Sequence, residues 1–365
     1  MTAVALMTAF ASYAQDKPAS WINNVKLSGY GIVQYQSSSK VNDKSNSFSL
    51  RLARVSLDGR ILDDFYWKAQ IQFNGNTTDL GNSPRVVDLF AEWQKYGYFK
   101  IKAGQFKRPF SFENPMHPVD QGFMSYSQIT SSIAGFNDRA GAHASNGRDI
   151  GVQLQGDFLP NANGRNLLHY QVGVFNGQGI NVKDVDQRKD IIGGVWVMPV
   201  AGMRIGAFGW TGSYARKRTV QTNQGKVTET LSLPQRRYAF SAEYVANDWT
   251  FRSEYAHSTG LAFKTRYQKP ENATDFTLSK DGDKAQGVYA LVIAPIIKKK
   301  MHAKARYDMY QPSGDASKQK TFYEVGLDYE FCRNLKLSGE YAFVNDHSLT
   351  KHNYNMVDVE LAFRF

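Results

Sequence analysis

Residues Phe65–Phe73 read FYWKAQIQF, and apolar and polar side chains alternate along the whole stretch. The apolar side chains on one face are Phe65, Trp67, Ala69, Ile71 and Phe73. Successive side chains of a β-strand point to opposite faces, whereas a helix of this sequence would distribute the same residues around its circumference. The stretch therefore predicts a strand with one apolar face and one polar face.

The same alternation returns along the rest of the chain. We count about sixteen such segments, each close to the ~10-residue length of a tilted strand that crosses a membrane. Their predicted ranges are 25–36, 47–59, 64–74, 85–95, 98–107, 148–158, 166–176, 189–198, 202–212, 236–246, 248–257, 285–296, 300–310, 321–331, 334–344 and 355–365. The segment Val288–Ile297 is apolar on both faces, which predicts that a folded-in loop or a neighbouring subunit covers it.

Short and long connections alternate between these segments. The short ones hold a few residues, as at Tyr96–Tyr98, whereas the long ones are rich in Gly, Ser, Asn, Asp and Lys. An outer-membrane barrel has short periplasmic turns and longer extracellular loops, and a soluble sandwich has no reason to alternate in this way. We therefore predict an all-β fold, a transmembrane up-and-down antiparallel β-barrel of about 16 strands with both termini on the periplasmic side.

The composition agrees with this fold class and excludes several others. The chain has 365 residues, with 23 Phe, 20 Tyr, 30 Gly, 11 Pro and 1 Cys. No stretch after residue 20 reaches the ~18 consecutive apolar residues of a membrane helix. The lone Cys332 cannot form a disulfide within the chain or supply a zinc site, and the aromatic content excludes a disordered chain.

The first residues are typical of an export signal. Residues 2–14 read TAVALMTAFASYA, an apolar stretch that ends in small residues before Gln15. Such a stretch is typical of a secretory signal with its cleavage site, although no Lys or Arg precedes it; a short buried helix is the alternative. We predict a signal peptide over residues 1–14, a periplasmic N-terminal segment over 15–24 and the transmembrane barrel over 25–365. The predicted location is the outer membrane of a Gram-negative bacterium, reached through the periplasm.

Basic residues on the polar faces are candidates for the lining of a pore. In the second segment the apolar phase changes at 52–53, which predicts a β-bulge beside Arg51 and Arg54. These arginines either form a basic rung inside the pore or pair with acidic residues of a neighbouring strand, such as Asp88 or Glu92. The predicted pore-lining and anion-binding residues are Arg51, Arg54, Lys68, Lys100, Lys102, Lys107, Arg108, Arg139, Arg148, Lys304 and Arg306.

The connection of residues 108–147 is the longest in the chain, and unstructured loops of this size are uncommon unless they are functional. A barrel of ~16 strands leaves an aqueous channel, which an inserted loop would narrow. Gly104 and Pro109 suit a sharp change of direction at the wall. We predict that this third extracellular loop folds into the lumen and exposes Arg139 to the passage; the alternative is a loop that packs outside as a lid or a subunit latch.

The charge pattern favours transport over catalysis. Rings of Lys and Arg that line a pore favour anions, because they raise the local anion concentration and exclude cations. The formal net charge of +11 agrees with this interpretation. Asp346, His347 and Ser348 suggest a hydrolytic group, but three polar residues in one turn are more often only a turn. We predict no enzyme activity, no cofactor, no metal site and no nucleic-acid partner.

Three segments resemble the phosphate-selective porin O and P family of outer-membrane proteins. They are Phe48–Gly59 (FSLRLARVSLDG), Val87–Trp93 (VDLFAEW) and Lys100–Ser111 (KIKAGQFKRPFS). The resemblance implies a sixteen-stranded trimeric channel whose third loop folds into the lumen. The terminal Phe365, at the end of an alternating strand, is similar to the signal that the barrel-assembly machinery recognises.

The predicted function is passive diffusion of small hydrophilic solutes across the outer membrane with a preference for anions, phosphate among them. The predicted partners are outer-membrane lipid and lipopolysaccharide, the barrel-assembly machinery, small anions in transit and further copies of the chain in a homotrimer. Two rival functions stay open. One is a closed barrel that serves as an adhesin or scaffold, and the other is an outer-membrane hydrolase with converging Ser, His or Asp at the rim.

Overall fold

The computed structural model describes residues 22–74, 84–136, 145–223, 225–265 and 270–365. The predicted signal peptide over residues 1–14 and the candidate residue Arg139 lie outside these ranges. The predicted N-terminal segment 15–24 overlaps the first strand, which already begins at Ile22. Among the described residues, no helix has the length and the apolar character needed to cross a membrane.

Nearly all regular structure in the described ranges is β-structure. The single described α-helix, α1, spans Gln128–Ser132. The strands are β1 Ile22–Ser38, β2 Ser45–Ile61, β3 Phe65–Gln72, β4 Arg85–Tyr96, β5 Phe99–Lys107, β6 Arg148–Pro160, β7 Asn166–Phe175, β8 Asp190–Val197, β9 Met203–Thr222, β10 Gly225–Ala246, β11 Trp249–Thr259, β12 Ala262–Phe263, β13 Leu278–Ser279, β14 Ala285–Ile297, β15 Met301–Gln311, β16 Lys320–Cys332, β17 Leu335–Asp346 and β18 Asn353–Arg364.

Sixteen of these strands form one closed antiparallel barrel. Each barrel strand pairs with its neighbours along the chain, and the barrel closes where β1 pairs with β18. The short strands β12 and β13 form a separate two-stranded sheet between β11 and β14. Closure removes free sheet edges and lets the backbone groups of the wall bond to each other, as a membrane requires. The predicted fold class is confirmed, and every predicted segment falls on a barrel strand.

The two faces of the wall differ in chemistry. In β16, for example, the side chains of Val325 and Leu327 are exposed, whereas those of Glu324 and Asp328 are buried. Successive side chains of a strand point to opposite sides of a sheet, so one face carries apolar groups and the other polar groups. We name the apolar, exposed face the outer face and the polar, mostly buried face the inner face.

The predicted bulge in β2 is confirmed by the pairing register. Ile32 of β1 pairs with Leu52, but the next residue, Val33, pairs with Leu50, so that Arg51 is left over. One extra residue in one strand is the definition of a bulge, and it explains why the apolar phase of β2 changes at this point.

The C-terminal residue belongs to the seam that closes the barrel. The backbone N–H of Phe365 donates to the carbonyl of Gly29, and the N–H of Gly29 donates to the carbonyl of Phe365, each at 3.0 Å. The Phe365 side chain is exposed. The seam therefore depends on the last residue of the chain.

One predicted loop is mostly β-structure. The predicted segments 202–212 and 236–246 leave residues 213–235 as a connection, but β9 continues to Thr222 and β10 begins at Gly225, so the two strands form a long hairpin. The pairing runs without a register shift from Thr222–Gly225 down to Met203–Tyr244. The many polar residues of this segment favour a loop. Its Val and Thr residues favour strands, however, and two strands can pair in a hairpin without an apolar face.

The segment that is apolar on both faces is covered by the connection of residues 108–147. Tyr289 and Leu291 of β14 belong to one buried cluster with Phe123 and Ile129 of that connection. The inner side of Val288–Ile297 therefore packs against described residues of this connection.

Candidate functional site

Loop 3, which comprises residues 108–147 between β5 and β6, is hydrogen-bonded to the inner face of distant strands. The buried carboxylate of Glu254 in β11 accepts hydrogen bonds from the backbone N–H groups of Phe112 (2.7 Å) and Glu113 (2.8 Å). It also accepts from the Tyr289 hydroxyl at 2.6 Å and from the Ser241 hydroxyl. Hydrogen bonds to a charged acceptor are stronger than those between neutral groups. Glu254 is therefore a tether for the beginning of loop 3.

Cationic side chains of the inner face bind residues 119–133 of the loop. They donate to loop carbonyl oxygens in the pairs Arg237–Ile133 (2.6 Å), Arg252–Gln121 (2.9 Å), Lys304–Gly122 (2.9 Å), Arg306–Ser125 (2.9 Å) and Lys336–Val119 (2.8 Å). Lys304 Nζ also lies 2.7 Å from Asp328 Oδ1, and Arg306 Nη2 lies 2.9 Å from Glu324 Oε1. Lys304 and Arg306, both predicted as pore cations, are thus paired with carboxylates and tether the loop.

Arg108, predicted to line the passage, is instead fully buried at the base of loop 3. Its Nε and Nη2 atoms lie 3.2 and 2.9 Å from Oδ2 of Asp149, and its guanidinium lies 4.8 Å from the centre of the Trp210 ring. Buried charges persist when they are paired and hydrogen-bonded. Arg108 therefore joins the loop to the wall.

A cavity of about 310 Å³ lies between the first six strands and the loop segment Pro115–Pro118. Its charged lining residues are Arg54, Lys68, Asp88, Lys102, Lys107 and Arg148. Five cations and one carboxylate thus face the same space, and we name it the basic cavity. All five cations belong to the predicted set, and they come from β2, β3, β5 and β6.

Three of the five cations that line the basic cavity already bind other groups of the protein. Arg148 Nε lies 2.6 Å from Asp88 Oδ1, and Lys102 Nζ lies 3.7 Å from Glu92 Oε2. The Lys107 ammonium donates to the carbonyl oxygens of Asn114 (2.8 Å) and Met116 (2.6 Å).

Arg54 and Lys68 keep their charge unpaired. Arg54 donates to the neutral oxygens of Gln72 and Tyr30, each at 2.9 Å. In the part of the chain that the structure describes, Lys68 has no hydrogen bond or ion pair. The alternative predicted for Arg51 and Arg54 was an ion pair with an acidic residue such as Asp88 or Glu92. Arg54 forms no such pair in the described residues, because Asp88 pairs with Arg148. The Asp88 carboxylate attracts both cations but forms a described ion pair with neither, so their positive charge is available to an anion in the cavity.

The remaining predicted residues lie elsewhere on the inner face. Arg51, at the bulge, has Nη1 2.6 Å from Glu360 Oε2. Lys100 Nζ lies 3.5 Å from Asp157 Oδ2, where both side chains are partly exposed. These two cations are paired and do not line the basic cavity.

A second cavity, of about 900 Å³, lies beside residues 125–132 of loop 3. It is lined by the acidic residues Asp281, Asp308, Glu324, Asp346 and Asp358 and by the basic residues Arg306, Lys318 and Lys320. We name it the acidic cavity. Our sequence reasoning missed it because it considered only Lys and Arg. The signal was present, since the alternation of β15, β16 and β18 places Asp308, Glu324 and Asp358 on the same polar face.

His117 lies in loop 3 at the edge of the basic cavity. Its ring is 4.3 Å from the Tyr30 ring between centres, and the backbone N–H of Val119 donates to its Nδ1 atom at 3.3 Å. Burial, aided by the Arg364 guanidinium, lowers the pKa of His117 to about 4, although the Asp120 carboxylate acts in the opposite direction. The imidazole is therefore neutral at physiological pH.

An NMR titration of histidine-labelled protein is expected to give His117 a pKa near 4, well below the ~6.5 of an unfolded histidine. Because the folded-state pKa is depressed, the contribution of His117 to stability is complete above about pH 6.5 and is lost as the pH falls toward 4. The NMR signal of His117 is identified as the one that is missing from the spectrum of the variant His117→Gln. A pKa near 6.5 in the folded protein would show that His117 is not buried against Tyr30.

The residues that suggested a hydrolytic group form a turn. The Ser348 hydroxyl and the Ser348 backbone N–H both donate to Asp346 Oδ1, at 2.5 and 3.1 Å. The Nδ1 atom of His347 lies 3.2 Å from the carbonyl of Ala316, on another loop. A nucleophile needs a base within hydrogen-bond reach, and in this arrangement Ser348 bonds to a carboxylate that caps the turn.

Comparison with known proteins supports the family resemblance and the fold. The model of the family described as phosphate-selective porin O and P matches residues 29–279. Among curated proteins, none matches the chain.

Solved outer-membrane structures share the fold at low sequence identity. OmpF of Salmonella typhi, solved in complex with daunomycin, superposes with a TM-score of 0.65 at 14% identity, covering 94% of this chain and 98% of that chain. OprB of Pseudomonas putida gives 0.62 at 10% identity, covering 98% and 97%. The outer membrane channel DcaP of Acinetobacter baumannii gives 0.59 at 13% identity, covering 96% and 99%.

Proposed function

The chain belongs to the phosphate-selective porin O and P family, and from this membership we propose that it is a passive diffusion channel of the outer membrane with a preference for small anions. The basic cavity carries the proposal, because Arg54 and Lys68 face it without a carboxylate partner in the described residues. Fixed positive charge in a narrow, low-dielectric passage concentrates anions and repels cations.

We infer that loop 3 lies in the lumen and narrows it. The loop starts and ends at β5 and β6, yet it bonds to Arg237 of β10, Arg306 of β15 and Lys336 of β17. These strands lie around the ring from β5 and β6, so a loop that reaches their inner faces crosses the interior. The passage for solutes then runs between the loop and the wall, where the basic cavity and the acidic cavity are situated.

Phosphate is one anion that the cationic side of this cavity can bind. A guanidinium offers several N–H donors in a plane that matches the oxygens of phosphate, whereas an ammonium acts as a point charge. Arg54 supplies the guanidinium, and Lys68 adds charge next to it. The name of the family supports the same preference.

The proposal also covers how the chain is exported and assembled. Residues 1–14 act as a signal peptide, and the chain works as a homotrimer. Phe365, which closes the seam with Gly29, serves as the signal for the barrel-assembly machinery. Basic residues on the extracellular hairpin, such as Lys217 and Lys226, contact lipopolysaccharide phosphates.

The triple variant Arg54→Gln, Lys68→Gln, Lys102→Gln is expected to reduce the anion-to-cation permeability ratio by at least roughly fivefold, since even one unit charge about 4 Å away in water contributes ~1 kcal/mol. The measurement is the reversal potential in a salt gradient across a planar bilayer. The matched control, Lys217→Gln, Lys226→Gln, Lys264→Gln, removes the same charge from exposed extracellular positions and should leave the ratio unchanged. Equal effects of both triple variants, or cation preference of the unaltered protein, would refute the role of the basic cavity.

A further inference from the structure

We propose that the basic cavity prefers anions with an apolar body, such as alkyl and aromatic carboxylates, over inorganic phosphate. This inference rests on the proposed function, because it concerns the same passage. The preference follows because the two sides of the cavity differ. The side formed by the strands is cationic and aromatic, and the side formed by loop 3 is mostly apolar.

The wall formed by the strands combines cations with aromatic rings. Tyr66, Phe90 and Phe106 line the cavity together with Lys68 and Lys102. The Lys102 ammonium lies 5.0 Å from the centre of the Phe90 ring and 5.3 Å from the centre of the Phe106 ring. A cation beside aromatic rings that line a cavity can bind a carboxylate while the rings contact the carbon skeleton attached to it.

The opposite wall offers few hydrogen-bond donors. It is formed by Pro115, Met116, His117 and Pro118 of loop 3. Proline has no backbone N–H, and the Met116 side chain has only a weakly accepting sulfur. The Met116 carbonyl already accepts from Lys107 at 2.6 Å. A hydrated phosphate that enters the cavity loses water on this side and gains few hydrogen bonds in return.

An amphipathic carboxylate meets both walls at once. Its charged end faces Lys68 and Arg54, and its apolar end displaces water from Met116 and the proline rings. The cavity volume of about 310 Å³ lies at the lower end of the ~300–1,000 Å³ range of small-molecule pockets, which suits a solute with one short chain or one ring. The same contacts that attract such a solute are absent for phosphate or chloride.

A homologous series separates charge from apolar contact. Acetate, butyrate and hexanoate carry the same carboxylate and differ only in CH₂ groups. We expect the concentration that half-blocks the chloride current through single channels to fall along the series by up to roughly fourfold per CH₂ buried. Inorganic phosphate is expected to block less well than hexanoate. A half-blocking concentration that does not change from acetate to hexanoate, or that rises, would overturn the preference.

A variant of the loop wall tests where the contact occurs. Met116→Gln keeps the size of the side chain but makes it polar. The ratio of the half-blocking concentrations of acetate and hexanoate should therefore shrink severalfold. Met356→Gln, the same change at a residue that lines the acidic cavity, should leave it intact. Pro118→Ser serves as a second variant if Met116→Gln folds poorly. If the half-blocking concentration falls from acetate to hexanoate as steeply in both loop variants as in the unaltered protein, the assignment of the contact to this cavity is overturned.

Failure of this inference is distinguishable from failure of the proposed function. If the protein conducts chloride and prefers anions but treats the three carboxylates alike, only the preference for apolar bodies is wrong. If well-folded protein conducts no chloride, both proposals fall.

Discussion

Replacement of Arg108 by methionine is expected to lower the free energy of unfolding by about 3–5 kcal/mol, because it removes the guanidinium that pairs with the buried carboxylate of Asp149. Neither side chain of this pair is exposed to solvent. The backbone N–H groups of Gly177 and Ile150 also donate to the Asp149 carboxylate, but they carry no positive charge. Methionine fills a similar volume beside Trp210, so the loss reflects charge rather than a cavity.

The measurement is urea unfolding of the barrel in lipid vesicles, followed by tryptophan fluorescence. The double variant Arg108→Met, Asp149→Asn removes both charges and should recover at least half of the loss. Arg218→Met is the matched control, since its ion pair with Glu229 is partly exposed and should contribute no more than about 1 kcal/mol. A loss below 1 kcal/mol for Arg108→Met would mean that the pair is not buried at the base of loop 3.

Replacement of Glu254 by alanine is expected to release the beginning of loop 3. Four donors lose their acceptor: the backbone N–H groups of Phe112 and Glu113 and the hydroxyls of Tyr289 and Ser241. Buried donors without a partner cost about 1–3 kcal/mol each, although relaxation of the loop recovers part of that cost. We therefore expect a loss of about 3 kcal/mol in stability and a single-channel current that fluctuates among several levels instead of one.

Two further variants make this result interpretable. Glu254→Gln keeps one acceptor oxygen and should give an intermediate effect in both measurements. Glu229→Ala, on the exposed part of the neighbouring hairpin, removes a glutamate that does not contact the loop and should change neither stability nor current levels by a measurable amount. A steady current and an unchanged unfolding midpoint for Glu254→Ala would show that other contacts determine the position of the loop.

The fold could be predicted from the sequence because alternate residues of each membrane-barrel strand face lipid and must be apolar. The pattern of Phe65–Phe73 needs no knowledge of distant contacts, and neither does the phase change that marks the bulge at Arg51. The hairpin of β9 and β10 was the exception. Beyond the barrel rim its strands have no lipid to face, so Thr219 and Thr228 give no apolar period to recognise.

The site could be predicted only in part. Alternation places Lys68, Lys102 and Lys304 on the polar face, but it does not say which carboxylate lies opposite on another strand. That depends on the register and on loop 3, which brings Gly122 to Lys304 and Met116 to Lys107 across large sequence separations. For the same reason the apolar side of the basic cavity, formed by Pro115, Met116 and Pro118, was not foreseen.

The single-channel current of purified, folded protein in a planar bilayer tests most directly whether water and ions pass through the barrel. Closed pairing of sixteen strands with a polar inner face predicts stepwise increases in current as single copies or assemblies insert. Protein that is shown to be folded by its heat-dependent mobility on gels, and that nevertheless inserts without any step in current, would contradict the channel and favour a closed barrel with a role at the cell surface.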